Sequence, residues 1–378
     1  MSTIYDVARE ADVSISAVSL VMNDANTKRV GAVKRKKILT VAERLGYSPS
    51  GLARALSNGS TKILGLVVPM KDPIFFSGFI AEVLAGIQSC VMERGYHLMI
   101  YSHTTTSGRI TEGELTHSRY VDGVIVLNTR MCSQRDMQYT IEDLQQADIR
   151  FVMINCYSGQ NEINYVGVDD FAVGRAGAEY LLREGHTRIA LISGAARSPM
   201  TPQLHAGFKQ ALKSAGIKMN PDLHLYSEYA PAAIHDKVIQ WLSQANPPTA
   251  IFCGDDQFAP DVYKVIEGLK LNIPQDVSVI GRGNLPVGSV MRPTLTTIAI
   301  PAFEMGRQAA ELLIHLVRTK SNEFRRIILD SRLIERESVR VLADSAPEAR
   351  PSVSGAPSRN RRAVVRALLI KDIIMRDG

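Results

Sequence analysis

From Ile63 onward the chain repeats one pattern, a short apolar run followed by a stretch with apolar residues every three or four positions. The runs fall at residues 63–68, 97–101, 121–127, 151–155, 188–193, 249–253 and 277–281. Stretches of helical period lie at 76–94, 172–184, 202–215, 232–244, 259–269 and 302–318, with Gly95, Gly185 and Gly216 closing three of them. Runs that are apolar on both faces and separated by helices predict parallel strands covered on both sides. The expected fold class is therefore α/β, a doubly wound body. About 280 residues is too many for one such sheet, so two similar lobes are expected. A ligand would sit in the cleft at the carboxyl ends of their strands.

The first 47 residues follow a different rule. Thr3 and Asp6 stand at capping-box spacing, with Asp6 in place of the usual Glu, and Ile4, Val7, Ala8 and Ala11 then recur at one-face spacing. Asp12-Val13 predicts a tight turn, and Ser14 a cap for a second helix with Val18, Val21 and Met22 inside. A third helix carries Ile38, Val41, Ala42 and Leu45 and stops at Gly46. Three short helices, the first two joined by a minimal turn, describe a helix-turn-helix. Its second helix would lie in the major groove, with Ile15, Ser16, Ala17, Ser19 and Leu20 turned toward base edges and phosphates. On spacing alone, a plain three-helix bundle with a solvated basic face at Lys34-Arg35-Lys36-Lys37 is the competing reading.

The distribution of charge adds to the first reading. Residues 1–62 hold ten Lys/Arg against five Asp/Glu, whereas the whole chain has a net charge of only +6. With a further basic excess after residue 343, the body between is slightly acidic. A basic head on an acidic body points to nucleic acid at the head. Residues 47–56 form a proline-started stretch too short for a stable isolated helix, which would fold when docked on DNA.

Other classes are disfavoured. No apolar run approaches the ~18–20 residues of a membrane span, and the N-terminus lacks the apolar stretch of a secretion signal. Cys90, Cys132, Cys156 and Cys253 are scattered, with no metal-ligand spacing. A cytoplasmic, nucleoid-associated protein without metal or cofactor is expected. Asp169-Asp170 and Asp255-Asp256 are carboxylate pairs at strand ends, but no GxGxxG turn, Walker loop, GxSxG elbow or HExxH accompanies them. They read as helix caps with a ligand contact, not as catalysts, and no enzyme is expected.

The sequence resembles the lactose-repressor (LacI) family of bacterial regulators from about residue 3 to 340. The matching blocks are Ile4-Tyr-Asp-Val-Ala8, Val13-Ser14, Ala17-Val-Ser19, Asn23, Leu45-Gly-Tyr47, Pro49, Ala53-Arg54, Leu56 and Ile63-Leu-Gly65. In the body they are Val121-Asp-Gly-Val-Ile125, Gly185-His-Thr-Arg-Ile-Ala190, 273–281, 293–298 and 333–338. The resemblance implies a helix-turn-helix domain (1–47), a hinge helix and linker (48–62), a two-lobed periplasmic-binding-protein-like body (63–342) and a flexible basic tail (343–378). It implies a homodimeric repressor on double-stranded operator DNA, governed by a small effector. It adds Thr3, Tyr5, Ser14, Asn23, Tyr47, Ala53 and Arg54 to the DNA contacts, with Lys34 and Arg35 on phosphates. Leu56 would be a minor-groove wedge. The competing functions are an effector-independent DNA-organising protein and a ligand binder without a promoter role.

Departures from the family pattern bear on specificity. Ala17 stands where Thr is usual and Leu20 where Arg is common, which removes a guanine-pairing group. In the cleft, Leu204 replaces an arginine, and Arg282 and Gly283 replace an aromatic and an aspartate. Phe75, Phe76, Asp169, Arg197, Asp255 and Arg282 are the expected effector residues. An arginine gained where an acid is lost predicts an anionic effector, a sugar acid or phosphate, unless Arg282 pairs with a neighbouring acid such as Asp255. After Leu342 a Ser/Pro/Arg-rich linker leads to a basic-flanked apolar run that sustains no heptad.

Overall fold

The computed structural model describes residues 2–23, 27–48, 60–68, 78–101, 120–128, 132–155 and 162–342. The head holds α1 (Ile4–Ala11), α2 (Ile15–Asn23) and α3 (Ala32–Arg44). The capping box forms: Asp6 N–H donates to Thr3 Oγ1 at 3.3 Å and Thr3 N–H to Asp6 Oδ2 at 2.9 Å. Asp12 takes the left-handed conformation that ends α1, and Gly46 does the same just after α3. Val7, Ala11, Val18, Val21, Ile38 and Ala42 close a small core of their own. At about 1.5–3 kcal/mol per fully buried aliphatic side chain, that core is what holds three short helices together.

The body contains β1 (Ile63–Val67), α4 (Gly78–Glu93), β2 (His97–Tyr101), β3 (Gly123–Leu127), α5 (Gln134–Gln146), β4 (Phe151–Ile154), β5 (Tyr165–Val168) and α6 (Asp170–Arg183). There follow β6 (Ile189–Ser193), α7 (Met200–Ser214), β7 (His224–Tyr226), α8 (Pro231–Leu242), β8 (Ala250–Cys253), α9 (Ala259–Gly268), β9 (Ser278–Gly283) and α10 (Pro286–Val290). The last elements are β10 (Thr296–Ala299), α11 (Ala302–Thr319), β11 (Arg326–Leu329) and β12 (Arg332–Ile334). They build two six-stranded sheets, ordered β11-β5-β4-β3-β1-β2 and β12-β10-β9-β8-β6-β7. Every pairing is parallel except β10 with β12. The chain crosses between sheets after β5, after β10 and between β11 and β12.

The lobes are two versions of one plan. In the first, α4 crosses α11; in the second, α6 crosses α7. Each crossing is so close that a Cβ at Gly86 would lie 1.9 Å from the Phe303 carbonyl oxygen, and one at Gly174 would lie 2.0 Å from that of Leu204. The same Phe-x-x-Gly-Arg sequence, Phe171–Arg175 and Phe303–Arg307, sits at both crossings. Only glycine lets the backbones touch there.

Within the described residues the expected strands and helices are present with ends moved by a few residues, while most of the expected hinge segment, 49–59, lies outside them. The strands β5, β7, β10, β11 and β12 and the helices α5 and α10 go beyond the elements expected from sequence. Tyr165-Val-Gly-Val168 and Thr296-Thr-Ile-Ala299 are too short and too polar to stand out as apolar runs. Among the described residues no helix is long and apolar enough to cross a membrane.

Candidate functional sites in the head and the cleft

On α2 the sequence separates two faces. Val18 and Val21 are buried, while Leu20, on the opposite side, is 36% exposed and Ile15, flanking the buried face, 43%. Ser14 Oγ accepts from Ala17 N–H at 3.2 Å and lies 3.0 Å from Ser16 Oγ. Asn23 Nδ2 donates to Ser19 Oγ at 3.4 Å. Ser16 is exposed, and Ala17 and Ser19 are half-buried. Tyr5 stands out from α1 at 67% exposure, and Lys34 is exposed on α3. Arg35 is differently employed: Nη1 donates to the Thr27 carbonyl at 2.9 Å, tying α3 to the loop before it. Thr3 is engaged in its capping box, and Tyr47 packs against the head core. Ala53, Arg54 and Leu56 lie outside the described residues, as do Phe75, Phe76 and the tail from 343.

In the body, the carboxyl ends of both sheets turn toward each other. Gln134 N–H, at the start of α5, donates to the Arg197 carbonyl at 3.4 Å, and Leu285 would touch a Cβ placed on Gly78. On the first-lobe side, Asn128 follows β3 and Asn155 follows β4, both buried. Each lends its amide to the other's backbone: Asn128 Nδ2 donates to Asn155 O at 3.0 Å and Asn155 Nδ2 to Asn128 O at 3.4 Å. Their Oδ1 atoms, buried and without a hydrogen-bond partner, remain. On the second-lobe side, the hydroxyls of Ser198 and Thr201 are likewise buried and unpartnered at the start of α7. Sequence reasoning missed all four. For Asn128 and Asn155 the signal available was a polar residue placed directly after a buried strand; Ser198 and Thr201, five and eight residues beyond β6, had none.

The charged candidates are committed to protein partners. Arg282 Nη2 lies 2.7 Å from Asp170 Oδ1, with both side chains almost wholly buried. The expected alternative partner, Asp255, instead accepts from Tyr229 Oη at 3.1 Å and from Gln257 N–H at 3.1 Å. Asp169 caps α6 through Ala172 N–H at 3.0 Å and is exposed. Arg197 pairs with Glu228 at 3.0 Å, and Glu228 also accepts from Ala196 N–H at 2.7 Å. Leu204, in the place of the missing arginine, is buried at the α6–α7 crossing. Asp256 accepts from Thr297 Oγ1 and Leu285 N–H, both at 2.8 Å, and burial pushes its carboxyl up to about 6. It fills the space beside Gly281, where a Cβ would lie 2.0 Å from its Oδ1. Arg282 is thus neutralised by a buried carboxylate, which leaves it little for an anion, whereas the Arg197–Glu228 pair is half exposed.

Residues 3–50 match the helix-turn-helix family described as bacterial regulatory proteins, lacI family. Residues 178–339 match a periplasmic binding protein-like domain. The chain is 31% identical over 350 residues to the HTH-type transcriptional repressor PurR of Vibrio vulnificus, covering 90% of this chain and 99% of that one. It belongs to the lacI family. The ribose operon repressor of Haemophilus influenzae is 29% identical over 341 residues, with 90% and 99% coverage. Among solved structures, the lac repressor dimer bound to operator and the anti-inducer ONPF superposes with a TM-score of 0.75 over 90% of this chain and 99% of that one, at 22% identity.

Within this lacI-family member the head is the DNA-binding domain and the body the regulatory one. The chain is a DNA-binding transcriptional regulator. The helix-turn-helix and the two-lobed α/β body foreseen from sequence are both present.

Proposed function

We propose that this chain is a cytoplasmic, homodimeric repressor that binds operator DNA and releases or tightens its grip when a neutral, hydroxyl-rich ligand, a sugar, enters the cleft. The observation that carries the ligand class is the pair of unpartnered amide oxygens, Asn128 Oδ1 and Asn155 Oδ1. A buried amide oxygen left unpaired costs about 1–3 kcal/mol. A ligand that donates hydrogen bonds recovers that cost, and a carboxylate or phosphate, which only accepts, does not. Ser198 and Thr201 can both donate and accept, which suits a second ring of hydroxyls. With Arg282 and Arg197 engaged by Asp170 and Glu228, the anionic effector expected from sequence is set aside in favour of a neutral one.

The test is calorimetric titration of the full chain with neutral sugars and their corresponding sugar acids. Binding is expected for a neutral sugar, with the acid weaker. Asn128→Ala should lower the affinity about tenfold or more, the loss of a well-placed hydrogen bond. Binding of acids alone, or an Asn128→Ala protein that binds as tightly as the wild type, would overturn the ligand assignment.

A further inference from the structure

We propose that α2 reads thymine methyl groups, so that the operator half-site presents T·A pairs whose methyls face Ile15 and Leu20. The inference rests on the DNA-binding reading of the head and goes beyond it to the chemistry of the bases. The exposed face of α2 carries no charge and no free amide: Ile15, Ser16, Ser19 and Leu20 form two adjacent stripes, with Ala17 at their edge. The polar groups on that face are partnered among themselves, Ser16 with Ser14 and Ser19 with Asn23. What the face offers outward is aliphatic surface, 43% of Ile15 and 36% of Leu20.

The major groove contains one sizeable apolar feature, the C5-methyl of thymine. Guanine is read by Arg or Lys and adenine by Asn or Gln, and α2 presents no Arg or Lys, while its Asn23 side chain bonds Ser19. A guanine or cytosine opposite Ile15 or Leu20 would lose water from its polar edge without gaining a partner. Thymine instead gives up apolar surface to apolar surface. Five residues along a helix advance about 7.5 Å, close to two base steps, so the two side chains meet different base pairs. Exposed Lys34 on α3 then serves the phosphates, which fix position without reading sequence.

The test starts with selection of bound sites from a random duplex pool by the full-length protein. The best site is then remade with deoxyuridine in place of thymidine, one position at a time, which removes the methyl and nothing else. Removing one contacted methyl should weaken binding about fourfold in one half-site and about fifteenfold when made in both. Leu20→Ala should lower affinity for the thymidine site and abolish the penalty at its own position, and Ile15→Ala should do so at another. Both side chains are exposed, so both variants should fold. Selected sites without thymine in the half-site, or deoxyuridine tolerated at every position, would overturn the thymine reading alone. A pool that yields no enriched sequence would instead remove the DNA-binding reading beneath it.

Discussion

Replacing Arg282 with Met separates a structural arginine from a ligand-binding one. Arg282 at the end of β9 and Asp170 at the start of α6 meet at 2.7 Å with side chains 6% and 0% exposed. The pair ties the first crossover between lobes to the centre of the second sheet. Removing the guanidinium leaves the Asp170 carboxylate buried without its charge partner, a change that costs about 3–5 kcal/mol. Trp241 is the chain's single tryptophan and is fully buried in the second lobe, so its fluorescence reports the unfolding of that lobe. With a urea slope of about 2 kcal/mol per molar, Arg282→Met should lower the midpoint by roughly 1.5–2.5 M. Adding Asp170→Asn to the same protein should recover a good part of the loss, because a neutral amide is cheaper to bury than a lone carboxylate. A ligand-free Arg282→Met midpoint within about 0.5 M of wild type, or a double variant as unstable as the sum of the singles, would refute this reasoning.

Titration should reveal two opposed groups. Asp256, pushed up to about 6 by burial, binds its proton more tightly in the folded state, so its contribution to stability is present at pH 4 and falls by up to about 3 kcal/mol as pH rises through 6. His224, pushed down to about 4 by burial and by neighbouring His205, adds stability as pH rises from 4 to 6.5. Urea midpoints between pH 4 and 7 should therefore slope upward in Asp256→Asn and downward in His224→Gln, with the wild type between them. Gly174→Ala forces a Cβ to 2.0 Å from the Leu204 carbonyl, so the helices must separate. A loss of about 1–3 kcal/mol or more by Trp241 fluorescence is expected. Lys34→Ala should weaken binding to all duplexes and flatten the logarithmic salt slope by about 1. Arg35→Ala should lower the head's melting temperature, because Arg35 holds the Thr27 carbonyl.

Much of this was legible in the sequence because it was written locally. The capping box at Thr3–Asp6, the Ser14 cap and the stop at Gly46 each depend on neighbours within four residues. The lobes were legible because fully buried strands read as apolar runs. What escaped depends on register and on distance along the chain. Asn128 and Asn155 come together because Leu127 pairs with Ile154 between β3 and β4, which no single-strand pattern specifies. Asp170 and Arg282 are 112 residues apart. From sequence Arg282 could be assigned a charge and a strand end, not the buried acid that claims it. α5 escaped for a different reason: its inner face is only Met137, Ile141 and Leu144, set among polar residues.

One chain joins a sequence-reading head to a ligand-reading cleft. Fluorescence anisotropy of the full protein on its selected duplex and on a scrambled one, with and without the sugar identified by calorimetry, tests both halves at once. At physiological salt the selected duplex should be preferred at least about a thousandfold, and the sugar should shift the affinity for that duplex in the wild type and not in Asn128→Ala. Equal affinity for both duplexes, or operator affinity unchanged by a sugar that binds the protein, would contradict this.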